Sequence, residues 1–394
     1  MSDRWYQSLA KRLEPADRTP VMRWSLRIAA ILAVVGLGGF LVAASGIIPI
    51  NATSGHWPIT RWILQFTMQR SVATHSFAIK SPPLDEPWLV LKGAGHYEIG
   101  CRPCHGSPEL HHPRIAQHML PPPPYLAQTT SKWEREELFY IVKHGLKFTG
   151  MPAWPSSHRD DEVWAMVAFL EVFPKLDAEQ YRRLVNGESR AIAKDVPLTA
   201  LEASETLDQP ITASCARCHG ADGLGRDIAA FPKLAGQSPA YLAASLEAFA
   251  SGERHSGIME PIAAALNAEQ IRELARHYAK MKSPSPLPPD HDTAQAIDRG
   301  EAIAQLGIPN QDIPACAACH DPGTTPRNPN YPVLDGQFAE YLTLQLTLFK
   351  QEQRGGTPYA PLMRRVAAGL SAEQIRDVAS YYASQAPRPA SQAR

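Results

Sequence analysis

Apolar residues are laid out along this chain in two ways, as one unbroken run and then as short helical stripes. The run, Ile28 to Ile50 (IAAILAVVGLGGFLVAASGIIPI), carries no charge. About 20 apolar residues cross a bilayer as a helix, so residues 28–50 are expected to form a transmembrane anchor. A cleaved signal peptide is the alternative, because Val42–Ser45 (VAAS) offers small residues. The long segment before the run and the run's own length favour a retained span. Next, in GHWPITRWILQF, Ile59, Trp62, Ile63 and Phe66 share one helical face. With Trp57 they suit a short helix on the outer membrane surface, and they suit equally an amphipathic helix packed on the following domain. Residues 51–83 are set apart as this interfacial helix and a linker.

Beyond it the stripes recur. Ile271, Leu274 and Tyr278 repeat at helical spacing in LNAEQIRELARHYA, and Ile375, Val378 and Tyr382 do so in LSAEQIRDVASYYA. Each stretch opens with a capping residue, Asn267 or Ser371, and has a glutamine three places on, the pattern of a capping box. Asp160–Phe173 (DDEVWAMVAFLEVF) begins with acidic residues, which the helix dipole favours in a first turn. No segment alternates as a long strand would, so the fold class expected is all-α.

The stripes belong to an internal repeat. FPKLAGQSPAYL (Phe231–Leu242) matches YPVLDGQFAEYL (Tyr331–Leu342), and a more divergent first copy keeps the same order of parts. Proline-rich or polar stretches at Lys80–Pro87, Leu184–Pro197 and Lys282–Asp292 read as semi-rigid linkers. Repeat units are therefore expected at 84–183, 190–285 and 292–388.

Charge adds orientation. Arg4, Lys11, Arg12, Arg18, Arg23 and Arg27 precede the apolar run. The positive-inside rule makes 1–27 a cytoplasmic tail and exports the rest, which implies a bacterial inner-membrane protein with its bulk in the periplasm. Overall, 39 Lys and Arg balance 39 Asp and Glu, which gives no basic excess for nucleic acid.

All 6 cysteines fall in one motif, used three times: Cys101-Arg-Pro-Cys104-His105, Cys215-Ala-Arg-Cys218-His219 and Cys316-Ala-Ala-Cys319-His320. A structural zinc site needs four ligands, and none of the three copies has a second ligand pair nearby. A redox dithiol of the thioredoxin kind would sit in a βαβ unit, and none is visible. CxxCH in an exported segment is the attachment signal for c-type haem. Two thiols one helical turn apart add across two vinyl groups, and the adjacent histidine becomes the proximal ligand. Three covalent haems c are expected, and no disulfide.

Met/His ligation is the pairing of electron-transfer haems. Met151 (FTGMPAWP), Met259 (HSGIMEPI) and Met363 (YAPLMRRV) each follow a CxxCH, lie near Gly or Pro and precede the last helix of their repeat. They are read as loop-borne sixth ligands. Met119 competes with Met151 in the first repeat, whereas Met166 and Met281 fit a helical core. A ligating imidazole also needs an acceptor for its other N–H. The carbonyls of Pro124, Pro232 and Pro332, in three Pro-x-Leu triplets, are candidates, although each proline alone is equally a chain-turning residue.

These residues resemble class I bacterial c-type cytochromes. GHYEIGCRPCHG and KFTGMPAW are similar to single-haem members, and the second and third repeats together resemble the two-haem cytochrome c-four type through CARCHGADG and PKLAGQSPAYLAASLEAFASGER. The likeness covers nearly all of 84–388. It implies a small helical domain around each haem, His/Met ligation, the prolyl contact and electron carriage; with the apolar run, the fold expected is an N-terminal transmembrane helix followed by three small class I cytochrome c domains. Asp321 stands where the pattern has a glycine after the histidine, which puts one haem-face loop in doubt.

The reading that follows is an electron carrier, not an enzyme. It would accept electrons from a quinol-oxidising complex or a dehydrogenase and pass them to a terminal oxidase or a soluble cytochrome. A three-haem subunit of a periplasmic alcohol or sugar dehydrogenase is the alternative. A haem peroxidase would need one open haem, with His111, His112, His118, His144 or His255 as extra groups, and those read more simply as solvated surface histidines.

Overall fold

The computed structural model describes residues 20–186, 209–283, 294–321 and 328–386. The chain divides into two compact units, 1–57 and 58–394. In the first, helix α1 (Pro20–Ala44) is long and apolar enough to cross a membrane, and none of its residues is buried. It starts earlier and stops sooner than the expected span, because Gly46 takes a left-handed φ of 66° and the chain leaves the helix. Arg4, Lys11, Arg12 and Arg18 of the basic tail lie outside the described residues.

The second unit is helical, and among the described residues its only β-pairing is one bridge, Ile308 with Ile313. Helix α2 (Pro58–Ser76) packs on α4 (Arg135–His144) through its C-terminal half, where Val72 and Ser76 are buried and His75 stacks on Tyr140. Its N-terminal half leaves Ile59, Trp62, Ile63 and Phe66 exposed. The C-terminal half is thus packed on the following domain, and the N-terminal half keeps its apolar face open.

Repeats one and three are each built on a crossing of a first and a last helix. In repeat one these are α3 (Pro87–His96) and α5 (Asp160–Val172). Gly93 lets them close, since a Cβ there would lie 2.1 Å from the Ala165 carbonyl oxygen. Helix α6 (Ala178–Asn186) closes this core with buried Tyr181 and Val185, so the expected bound at 183 falls inside a helix. In repeat two, α7 (Gln209–His219), α8 (Pro239–Ala250), α9 (Met259–Ala264) and α10 (Ala268–Ala279) surround Ile211, Leu242, Leu274 and Tyr278. In repeat three, α11 (Ala294–Leu306), α12 (Ala339–Lys350), α13 (Ala360–Gly369) and α14 (Ala372–Ser384) repeat the plan, and Gly300 sits 2.1 Å (as a Cβ) from the Asp377 carbonyl oxygen at the crossing. The capping boxes form as read: Asn267 and Ser371 accept from Gln270 N and Gln374 N at 2.9 and 3.1 Å.

Two expectations need revision. The repeats are not beads on linkers, because 58–394 packs as one compact unit with polar contacts joining repeat to repeat. The expected bounds at 190, 285, 292 and 388 lie outside the described residues. Met259 and Met363 are not in loops either. Met259 opens α9, and Met363 lies in α13, where Pro361, with its φ pre-set, starts the helix ahead of it. Met151 does lie in irregular chain.

Candidate functional site

The three CxxCH motifs each end a helix or form a short helical turn. In repeat one, α3 runs into a π-turn, Tyr97–Cys101, and then the turn Arg102–His105. Cys215 and Cys218 lie in the last turns of α7, and Ala317–His320 is a single turn. Burial pushes the Cys101 and Cys215 thiols up to about 12, and those of Cys218 and Cys316 to about 11. Before attachment these are therefore neutral thiols at neutral pH, unlike the exposed, low-pKa thiolates of redox sites.

The histidine environments agree across the repeats. His105 Nδ1 is 2.8 Å from the Pro124 carbonyl oxygen, His219 Nδ1 is 3.0 Å from that of Pro232, and His320 Nδ1 is 3.1 Å from that of Pro332. A carbonyl only accepts, so each Nδ1 carries the proton and the neutral ring has its lone pair on Nε2. Burial, against the opposing prolyl bond, lowers the pKa of His105 and His219. Both are thus held in the neutral form that a metal requires.

One continuous cavity of 1580 Å³ runs through repeats two and three and reaches repeat one at Lys92, His96, Arg159 and Glu162. Single ligands fill about 300–1,000 Å³, so this volume accommodates two large cofactors. Its wall carries Cys215, Cys218, His219, Met259, Cys316, Cys319, His320 and Met363 together. In repeat one, Met151 and its competitor come to the same turn. Met151 N donates to Thr149 Oγ1 at 3.1 Å, and the Met119 methyl lies where a Cβ on Gly150 would be. Met166 is a core residue, 1% exposed.

Whether haem fits can be tested on the charges around the cavity. Arg254 and Arg354 are buried in its wall, and among the described residues neither pairs with a carboxylate. Their partners are neutral: Arg254 Nη2 donates to Tyr341 OH at 3.3 Å, and Arg354 Nη2 to Tyr241 OH at 2.8 Å. Burial would raise the Tyr241 phenol, yet Arg354 and Arg254 pull it down to about 8. Buried guanidinium charge without a counter-ion is costly, so this wall calls for an anion. Haem propionates supply one, and the donor set fits the group.

Around the cavity the two repeats meet reciprocally. Gln237 Nε2 donates to Val333 O (2.9 Å) and its Oε1 accepts from Val333 N (2.7 Å). Gln337 does the same with Lys233 O (3.0 Å) and Lys233 N (3.1 Å). Repeat one joins differently. Gly95 of α3 lies so close to repeat two that a Cβ would be 2.8 Å from the Phe231 ring and 3.3 Å from Cys218 Sγ. Arg226 donates to the carbonyl oxygens of Leu184 and Arg183 at 2.6 and 3.0 Å. Arg159 Nη1 donates to His255 O at 2.7 Å.

The polar residues at these junctions, Arg159, Glu162, Gln237, Arg254, Gln337 and Arg354, escaped the reading of the sequence. Glutamine and arginine did recur between repeats two and three, and that recurrence was the available signal. His96, buried with its ring tilted against Trp154 at 5.8 Å, was also missed. Of the five histidines considered as extra ligands, His111, His112, His118 and His144 are exposed. His255 is half-buried, 5.3 Å from the ring of His158.

Comparison with known proteins agrees with this chemistry. The cytochrome c family model matches residues 209–282 and 297–386, and the model for cytochrome C oxidase, cbb3-type, subunit III matches residues 89–170. The chain is 40% identical over 190 residues to the thiosulfate dehydrogenase electron acceptor of Thiomonas intermedia, covering 48% of this chain and 87% of that one. It is 33% identical over 174 residues to cytochrome c4 of Pseudomonas aeruginosa, covering 44% of this chain and 84% of that one. Reduced cytochrome c4 from Pseudomonas stutzeri aligns with a TM-score of 0.40 at 30% identity, over 44% of this chain and 94% of that structure. The protein belongs to the c-type cytochromes, a multihaem member with three covalent haem c sites at Cys101/Cys104, Cys215/Cys218 and Cys316/Cys319.

Proposed function

We propose that this chain is a membrane-anchored periplasmic relay that takes electrons from a dehydrogenase or quinol-oxidising complex and hands them to a terminal oxidase or a soluble cytochrome. The observation that carries this reading is the threefold identity of the sites, each pairing a CxxCH histidine with a prolyl carbonyl. Haem supplies reversible one-electron chemistry when bound. The chain does the rest. His105, His219 and His320, each oriented by the carbonyl of Pro124, Pro232 or Pro332, would hold the haem iron together with Met151, Met259 and Met363. The repeats occupy 84–183, 190–285 and 292–388 in this account. Helix α1 is the anchor, with residues 1–27 on the cytoplasmic side, and the exposed face of α2 rests on the outer leaflet.

The close approach of α3 to Cys218 supports a serial path. Gly95, which touches repeat two, lies six residues before Cys101, about 9 Å along a helix. Repeat one is thus the inlet or outlet of the pair formed by repeats two and three. The name of the Thiomonas relative favours thiosulfate dehydrogenase as the donor. The oxidised full-length protein, mixed with catalytic thiosulfate dehydrogenase and thiosulfate, should take up three electrons per chain. If it stays oxidised there but is reduced by a quinol-oxidising complex with quinol, the donor is the latter. If neither reduces it, the relay reading fails.

A further inference from the structure

We infer that Glu162, a residue of repeat one, is a positioning residue for the iron ligand of repeat two. This rests on the reading of Met259 as that ligand. Glu162 is 2% exposed, on the first turn of α5. Buried carboxylates persist only where donors saturate them, and here most of the donors come from the chain around Met259 or pack on it. Ser256 Oγ donates to Glu162 Oε1 at 2.7 Å, and Gly257 N donates to Oε2 at 2.7 Å. Arg159 Nη1 adds a contact of 3.0 Å to Oε1. The Ser256 hydroxyl in turn accepts from Met259 N at 3.1 Å. An unbroken line of hydrogen bonds therefore runs from the repeat-one carboxylate to the backbone of Met259.

The same carboxylate reaches the other methionine segment. Trp154, which follows Met151 in GMPAWP, donates from Nε1 to Glu162 Oε2 at 3.2 Å. Its indole lies against Gly257, where a Cβ would come within 2.2 Å of Nε1. The Met151 and Met259 segments are thus packed on each other, with Glu162 tying both. Partners that orient a ligand are worth about 10–100-fold in its binding. Releasing this tie raises the fraction of time Met259 is off the iron by a similar factor.

The test is imidazole binding to the ferric, full-length three-haem protein, because imidazole competes with methionine for iron. Met259→Ala should open one haem outright. Glu162→Ala should raise the imidazole affinity of one haem about 10-fold, with a matching loss from the methionine–iron charge-transfer absorption. Adding Glu162→Ala to Met259→Ala should change imidazole binding no further, since both act through one ligand. If Met259→Ala opens one haem and Glu162→Ala leaves imidazole affinity at the wild-type value, the ligand reading stands and the proposal alone is overturned. If Met259→Ala opens no haem, the ligand reading fails and takes the proposal with it. A Glu162 effect that persists in the Met259→Ala background also overturns it. Should Glu162→Ala fail to assemble, Ser256→Ala removes the hydroxyl that links Glu162 to Met259 N. The same haem must then become more accessible, and unchanged affinity contradicts the proposal.

Discussion

The two junctions between repeats are built from different chemistry. Repeats two and three meet as near-equals: Gln237 and Gln337 trade identical contacts, and Arg254 and Arg354 each reach a tyrosine of the other repeat. Repeat one meets repeat two through an unequal set: Arg159 and Glu162, buttressed by Asp161 and Lys92, reach His255 O, Ser256 and Gly257 N, while Arg226 of repeat two reaches the Arg183 and Leu184 carbonyls. Quasi-symmetric units can use one patch twice, as isologous dimers do. A divergent unit cannot, and here a buried charge cluster does that work. The first arrangement surrounds the part of the cavity that carries two CxxCH motifs, and in the second Glu162 holds the segment that carries Met259.

The largest expected effect separates the junctions by charge. Replacing Arg254 and Arg354 with leucine removes two buried cations beside the shared cavity. Each charged hydrogen bond lost costs about 1.5–3 kcal/mol. Without the positive charge the ferric state is favoured, so redox titration should show two haem potentials falling while the third holds. A uniform fall in all three would mean that these two arginines do not act on the haems of repeats two and three in particular.

Asp161 sharpens the other side. Burial would raise its pKa, but Lys92 at 2.9 Å and Arg159 at 2.8 Å hold it well below the usual carboxylate range. A carboxylate depressed in the folded state stabilises it above its unfolded pKa, about 3.9, and loses that contribution as pH falls. Asp161→Asn should therefore cost about 1.5–3 kcal/mol at pH 7, and its unfolding curve should converge on the wild type below pH 4. A gap that persists in acid would show that the carboxylate charge is not what matters there.

Symmetry itself gives a smaller effect. Gln237→Ala and Gln337→Ala each remove two hydrogen bonds to backbone, about 0.5–1.5 kcal/mol apiece. Denaturant midpoints of the two variants should agree closely. Unequal losses would break the comparison on which this account of the second junction rests.

Local patterns carried most of the site into view. CxxCH names its own chemistry, Pro-x-Leu recurs near each motif, and the capping boxes at Asn267 and Ser371 are set by residues three apart. What stayed hidden depends on partners far away in sequence. Glu162 looks like an ordinary first-turn acid until Ser256 and Gly257 arrive from another repeat. Gln237 and Gln337 were visible as repeated letters, but the pairing of each with the other repeat's backbone is a product of packing. Met259 and Met363, read as loop residues, lie in helices, because helical propensity after Pro361 and at Met259–Ala264 outweighs the turn signals around them, whereas Met151 keeps its irregular chain.

The proposed closure of all three irons by Met151, Met259 and Met363 would make this chain a carrier, and carbon monoxide reads it directly. The dithionite-reduced wild-type protein should give no carbon monoxide difference spectrum. Met151→Ala, Met259→Ala and Met363→Ala should each expose one haem of three, and Met119→Ala none. Carbon monoxide binding to the unaltered protein would show an iron without its methionine and contradict the account.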